Sequence, residues 1–315
     1  MKLIARLAAA LTCLAVLATA APAEHQARTN VTFLLVNDIY QMSAEAMPDG
    51  KTRGGFARLA AVVKAERAKG GHVIFAHAGD TLSPSLMSGL DRGEHIIALT
   101  NMIAPDMFAP GNHEFDFGKE IFAQRMREAT FPLYAANLRG ADGAPLPGFK
   151  DRGFLTFDGV RIGLTGAAYD ETGRLSSPGD LKFAPSVATM KAQAEALRRE
   201  GADFVLAVAH IERPDAIELY TRGGVDLLLT GHNHDLVVAF DGRAAMAESS
   251  HDAHYVVAID VTISVAERDG RRETTWWPQF RIIDTADVVP DAEVAAKVAI
   301  YEAELSREMD APLAS

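Results

Sequence analysis

Apolar runs of strand length recur along this chain, and five of them end at a residue able to bind a metal ion. Val31 to Val36 runs into Asn37-Asp38-Ile39-Tyr40, and His72 to Ala78 runs into Gly79-Asp80-Thr81. Asp106 to Ala109 leads to Gly111-Asn112-His113-Glu114-Phe115-Asp116. Ala202 to Ala209 ends at His210, and Val225 to Thr230 ends at Gly231-His232-Asn233-His234. Helical patterns separate these runs, so the strands should lie side by side in sheets with helices outside. Open α/β sheets build their sites at strand ends. That rule gathers Asp38, Asp80, Asn112, His210, His232 and His234 at one edge.

The remaining segments fit the same plan. From Gly55 to Lys69 the residues Phe56, Leu59, Ala60, Val63 and Ala65 mark one helical face. Ser85 to Ile103 predicts one or two helices broken near Gly89 and Gly93, and Lys119 to Ala129 a further one. Ser186 to Glu200, Pro214 to Tyr220 and Asp291 to Met309 complete the helices. Phe131 to Asn137 predicts a strand, and Asp158-Gly159 predicts a hairpin turn between Phe154–Phe157 and Val160–Ala167. Beyond the His232 loop, Leu236 to Phe240, Ala244 to Glu248, Tyr255 to Val265 and Thr274 to Asp284 alternate in polarity. Turns such as Asp241-Gly242 and Asp269-Gly270 join them, which predicts an antiparallel sheet. No linker or internal repeat divides the chain.

The N-terminus reads as a targeting segment. Lys2 and Arg6 precede an apolar run from Leu7 to Ala18, and Ala21-Pro22-Ala23 fits a cleavage site. The run is too short for a membrane span of about 20 residues. Residues 1–23 are therefore expected to be a signal peptide, and 24–315 a single domain exported to the periplasm or secreted, with no stable membrane insertion. Cys13, the sole cysteine, falls within that leader, which excludes disulfides and thiolate zinc ligands from the mature protein. A net charge of −11 leaves no basic surplus for a nucleic-acid polymer. The same charge opposes anionic substrates unless bound cations reverse it locally.

Taken singly, each strand-end residue has an ordinary explanation. An Asp after a strand is usually a turn former, and a His there a satisfied core residue. Together they are complementary. Carboxylates, an amide oxygen and imidazoles suit first-row divalent ions, and one carboxylate can bridge two of them.

With these residues assembled, the chain resembles the calcineurin-like metallophosphatases, whose five blocks look like Asn37-Asp38-Ile39-Tyr40, Gly79-Asp80, Gly111-Asn112-His113-Glu114, His210 and Gly231-His232-Asn233-His234. The longer Gly-Asn-His-Glu-Phe-Asp string and Gly54-Gly55-Phe56-Ala57-Arg58 resemble the 5′-nucleotidase branch. The resemblance implies a four-layer αββα sandwich with two central mixed β-sheets and two divalent ions (Mn, Zn, Fe or similar). It implies that Asp80 bridges the ions, that Asp38 and His234 hold the first, and that Asn112, His210 and His232 hold the second. His113 would protonate the leaving group, oriented by Asp116. Tyr40 stands where the family usually has His, as in an Asp-x-Tyr subgroup. It would either coordinate as a phenolate or stay neutral and hydrogen-bond a ligand, and its ordinary pKa near 10 favours the neutral form. The chain ends at Ser315, just past the last helix, whereas nucleotidases of the branch carry a further C-terminal domain.

The expected activity is hydrolysis of small phosphate esters, nucleotides foremost. Cyclic phosphodiesters, a sulfur-linked ester, and a catalytically weak metal binder are the alternatives. An intact His113–Asp116 pair argues against the last, since a binder needs no leaving-group acid. His251 and His254 read as exposed loop histidines, with contact to a substrate the less favoured alternative. His72, His77 and His95 read as structural, Trp276 and Trp277 as packing, and Arg53 and Arg58 as ion-paired or solvated.

Overall fold

A computed structural model of the protein describes residues 25–311 other than Asp269. The expected signal segment with Cys13, and Asp269 of the expected Asp269-Gly270 turn, lie outside the described residues. The chain opens with β1 (His25–Val36), a small hairpin of β2 (Glu45–Ala46) and β3 (Thr52–Arg53), and α1 (Phe56–Ala68). Next come β4 (His72–His77), α2 (Leu86–Asp91), α3 (Glu94–Ile103) and β5 (Met107–Phe108). The helical stretch breaks at Arg92 and Gly93, both left-handed with φ of +54° and +80°, whereas Gly89 stays inside α2. After α4 (Lys119–Glu128) the expected long strand shrinks to β6 (Leu133–Tyr134), followed by β7 (Leu138–Arg139) and β8 (Phe149–Lys150).

β9 (Arg152–Phe157) and β10 (Val160–Ala167) form the expected hairpin, with positive φ at both Asp158 and Gly159 as a tight two-residue turn requires. Through α5 (Thr172–Leu175) and β11 (Lys182–Phe183) the chain reaches α6 (Ser186–Arg199), β12 (Phe204–His210), α7 (Arg213–Arg222) and β13 (Leu227–Gly231). The last elements are β14 (Leu236–Phe240), β15 (Ala245–Ser249), β16 (Tyr255–Arg268), β17 (Arg271–Asp284) and α8 (Ala292–Asp310).

Two sheets result. One runs in the order β17-β16-β1-β4-β5-β6-β8 and the other β14-β15-β13-β12-β10-β9. Alternation along β1 sends Val31, Phe33 and Leu35 into the space between the sheets, where they join Leu206, Val208, Leu229 and Ala247. Leu34 and Val36 face the other way, onto Phe56, Leu59, Ile96, Leu99, Val294 and Val298 of α1, α3 and α8. On the second sheet Val205, Ala207 and Leu228 pack outward against Met190, Leu197 and Leu219 of α6 and α7. Helix, sheet, sheet, helix is the αββα order. β12 is buried along its whole length because helices cover one face and a sheet the other.

One expectation is corrected. The four late strands do not form a sheet of their own. β14 and β15 extend the second sheet, with β15 parallel to β13, while β16 and β17 extend the first through antiparallel pairing of β16 with β1. Alternation reveals which face of a strand is buried but not which neighbour it pairs with.

Candidate metal centre

The parallel strands β1, β4 and β5 of one sheet and β12 and β13 of the other all point their C-terminal ends to one edge of the sandwich. The chain turns sharply there. Asp38, Asp80, His232 and His234 all hold positive φ, at +53°, +56°, +96° and +59°. Non-glycine residues adopt that backbone at a cost, and such strain concentrates at functional sites. Gly111 must be glycine, since a Cβ there would sit 2.1 Å from Asp80 Oδ1 and 2.8 Å from the His210 ring.

The sheets meet through the predicted residues. His210 Nε2 lies 3.0 Å from Asp80 Oδ2 and 3.2 Å from His232 Nδ1. One donor atom from each of Asp80, His210 and His232 falls within 4.8 Å of the other two. His234 Nε2 is 3.2 Å from Asp38 Oδ1, while Asp38 Oδ2 accepts from the His232 backbone N–H at 2.9 Å. Asp80 Oδ1 accepts from His113 N–H at 2.7 Å.

Hydrogen bonds fix the imidazole tautomers. His210 Nδ1 donates to the Ala78 carbonyl at 2.7 Å, so a neutral ring turns a lone pair on Nε2 toward Asp80. His232 Nε2 is held by Glu212 Oε1 at 3.2 Å, leaving Nδ1 for the shared space, and Tyr169 stacks on its ring at 4.3 Å. A lone pair against a carboxylate is repulsive unless a cation intervenes. Without one the site recruits a proton: burial opposes charge on His210, but Asp80 and Asp38 raise its pKa to about 10.

His113 stands apart from that cluster. Its Nδ1 pairs with Asp116 Oδ2 at 2.6 Å, and Ser176 Oγ donates to the other Asp116 oxygen at 2.6 Å. The ring is 34% exposed, so it can meet a substrate. Burial works against its protonation, yet the Asp116 hydrogen bond and the Asp80 charge lift its pKa to about 8. The Tyr40 hydroxyl sits 3.0 Å from Asp38 Oδ1, 3.1 Å from His234 Nε2 and 3.4 Å from Asp80 Oδ2. Burial, then the Asp80 and Asp38 charges, push its pKa far above the ordinary phenol value.

Four further residues support the site: Asn37 and Glu114 lie inside the strand-end motifs, whereas Glu248 and Asp252 carry no signal in them. Asn37 ties the Asp38 loop to the second sheet, donating to Ser250 O at 2.5 Å and accepting from Ser249 N–H at 2.8 Å. Glu114 accepts from the backbone of both the Asp80 and the Gly111 loops. Glu248, buried on β15, accepts from Asn233 N–H at 2.9 Å and pairs with Arg213 at 2.5 Å. Asp252 accepts from Tyr40 and Gln41 N–H at 2.7 and 2.9 Å. The arginines are engaged elsewhere: Arg53 by Asp284 and Asp49, Arg58 by Thr52. His77 is buried, which holds its pKa down to about 3, and His95 pairs with Asp91. Trp276 packs on Phe204, but Trp277, its neighbour on the opposite face of β17, is 69% exposed and not core.

A divalent cation fits these donors. The Asn112 side-chain oxygen is buried and lacks any hydrogen-bond partner, a deficit that a metal bond would fill. Two carboxylates, an amide oxygen and three imidazoles form a mixed N/O set suited to manganese, zinc or iron.

Comparison with known proteins agrees. The family model for calcineurin-like phosphoesterase matches residues 31–236, well over half of the 315-residue chain. An apyrase of Tabanus yao is 28% identical over 204 residues, 62% of this chain and 36% of that protein. The NAD 5′-nucleotidase of Haemophilus influenzae is 30% identical over 187 residues, 58% of this chain and 31% of its own. The matched segment thus spans about a third of the length of these curated relatives. The fold of a 5′-nucleotidase precursor from Thermus thermophilus superposes with a TM-score of 0.76 at 19% identity, over 89% of this chain and 60% of that one. The chain belongs to the calcineurin-like phosphoesterase family, on its 5′-nucleotidase branch.

Proposed function

We propose that this chain is an exported phosphoesterase that holds two divalent ions and hydrolyses small phosphate esters, with nucleotides as the favoured class. Asp38 and His234, beside Tyr40, would hold one ion, Asn112, His210 and His232 the other, and Asp80 would serve both. When bound, the ions supply Lewis-acid stabilisation of the phosphoryl group and lower the pKa of water. His113 protonates the leaving oxygen from Nε2, because Asp116 occupies Nδ1 and keeps the ring turned. Ser176 restrains Asp116 in turn. Positioning the acid and the ester on one edge removes the entropy of bringing them together.

The observation that carries this reading is the unpartnered, buried Asn112 oxygen beside His113, in a cluster that pairs imidazole lone pairs with carboxylates. Relatives named as a nucleotidase and an apyrase support the substrate class. The test is metal removal. Chelation should abolish hydrolysis of a panel of nucleoside monophosphates, cyclic nucleotides and nitrophenyl phosphates, and Mn²⁺ should restore it. Full activity in protein shown by elemental analysis to be metal-free would sink the proposal.

A further inference from the structure

A second group of donors lies beside the centre and takes no part in it. His251, Asp252 and His254 each place one ligand-type atom within 4.8 Å of the other two. They occupy the loop between β15 and β16, and its backbone is strained: Ser250, Asp252 and Ala253 hold φ of +70°, +48° and +53°. Asp252 and His254 are buried, at 5% and 3% exposure. A fourth donor comes from the β2–β3 hairpin, where Glu45 Oε2 sits 3.0 Å from His254 Nε2. β3 is followed by Gly54, whose φ is +80° and whose Cβ would fall 2.2 Å from Asp252 O and 3.0 Å from the His254 ring. The chain has therefore given up a side chain to let hairpin and loop close on each other.

We propose that His251, Asp252, His254 and Glu45 bind a further divalent transition-metal ion of the zinc type, separate from the Asp38–Asp80 centre. Two neutral imidazoles and two carboxylates balance a charge of +2 and make a mixed N/O set that zinc accepts. Ligand atoms on a tetrahedral zinc with bonds near 2.1 Å stand about 3.4 Å apart. The Glu45–His254 contact of 3.0 Å lies near that spacing, and the His251, Asp252 and His254 donors, each within 4.8 Å of the other two, would draw inward on an ion to reach it. A His–Glu ion pair accounts for the Glu45–His254 contact and the Tyr40 and Gln41 amides hold Asp252, but neither draws the His251 ring to 4.6 Å from the His254 ring. Asp252 has an oxygen to give, because Oδ1 alone accepts the Tyr40 and Gln41 N–H groups. The ion pins the β2–β3 hairpin, through Glu45, to a loop already joined to the Asp38 turn by the Asp252 N–H to Asp38 O bond of 2.8 Å. It also sits against the first centre, since the His251 ring stacks on His234 at 5.1 Å.

The test measures zinc bound at micromolar free zinc by equilibrium dialysis and elemental analysis, on the full chain and on Glu45→Gln, His251→Ala and His210→Ala. Glu45 is 41% exposed, so its isosteric replacement leaves the core alone. Glu45→Gln and His251→Ala should each lose one equivalent, or weaken it at least tenfold, while His210→Ala keeps that equivalent. Unchanged zinc in both loop variants overturns the proposal. Loss in His251→Ala alone overturns it as well, since the loop would then act through His234. The outcome is independent of the phosphoesterase reading: an ion lost in Glu45→Gln but kept in His210→Ala upholds the loop site even where no phosphate ester is turned over.

Discussion

Replacing Glu114 by glutamine exchanges one oxygen for an NH₂ group and keeps the shape. The Glu114 carboxylate is fully buried and accepts four backbone N–H groups. Oε1 takes Thr81 at 2.6 Å and Leu82 at 3.3 Å, and Oε2 takes Asp80 at 3.0 Å and Gly111 at 2.5 Å. An amide has a single acceptor oxygen, so in either orientation its NH₂ meets two N–H donors head-on. Each buried donor left unpaired costs about 1–3 kcal/mol, which gives roughly 4 kcal/mol for the pair. For a chain of this size each kcal/mol moves the unfolding midpoint by about 2–4 °C, so the midpoint should fall by about 8–16 °C.

Glu114→Ala frees all four donors, but the space it opens admits a water that can serve two of them, so its penalty should be similar. Burial and the neighbouring Asp80 charge push the Glu114 pKa up to about 7. The measurement therefore belongs near pH 8, where the carboxylate is ionised. It also belongs in chelator, so that bound ions do not add their own stabilisation. Urea unfolding followed by circular dichroism reads the difference. A Gln variant within about 1 kcal/mol of wild type would refute the clamp, because that margin lies well below the roughly 4 kcal/mol expected for two unpaired donors.

Other expectations follow from the same geometry. His113→Ala should lower turnover by roughly 10²–10⁴ while metal content stays constant, and nitrophenyl phosphate should suffer less than alkyl phosphates; loss of metal in that variant would refute its role as an acid. Tyr40→His trades a phenol that resists ionisation for an imidazole and should tighten the first ion, as read by metal titration; an unchanged affinity would count against the ligand assignment. Arg281 bridges Glu66 and Asp260 at 2.9 and 2.6 Å, and although burial opposes it, these bonds hold both carboxyls below their ordinary pKa values. Their stabilisation is present above the unfolded pKa values, near 4, and is lost as pH falls through the lower folded ones. Arg281→Ala should thus narrow the stability gap between neutral and acid pH in denaturant titrations, and an unaltered acid limb would contradict it.

The metal-type residues were legible because each lies within a few residues of the end of an apolar run. A buried strand needs such a run, and the short polar turn after it marks the sheet edge. Asp38, Asp80, Asn112, His210, His232 and His234 could therefore be grouped without knowing which strands pair. The residues that hold them in place obey no such local rule. Glu248 reads as one more polar position in the alternation of β15, yet its two oxygens serve Asn233, Asp235 and Arg213. Asn37 works across 212 residues of sequence to reach Ser249. β16 pairs with β1 at a similar separation, a partner that alternation within the late strands does not reveal. Trp277 was within reach, since a period of two along β17 puts it on the face opposite Trp276.

Strain is the part of the design that sequence conceals most completely. Ten described residues other than glycine hold positive φ, and seven of them lie in the Asp38, Asp80, His232–His234 and Ser250–Ala253 turns. Asp and His are among the non-glycine residues that tolerate the left-handed region best, but Ala gains little there. Glycine at those positions would relieve the strain and delete the ligand, so the side chain must be what the backbone cost sustains. Ala253 has no ligand to offer. Its strain instead follows from lying between Asp252, fixed by the Tyr40 and Gln41 amides, and His254, whose backbone carbonyl accepts the Thr285 N–H at 3.2 Å. A loop with both ends so anchored reverses direction over Asp252 and Ala253, at φ of +48° and +53°, and the reversal brings Asp252 and His254 within reach of each other.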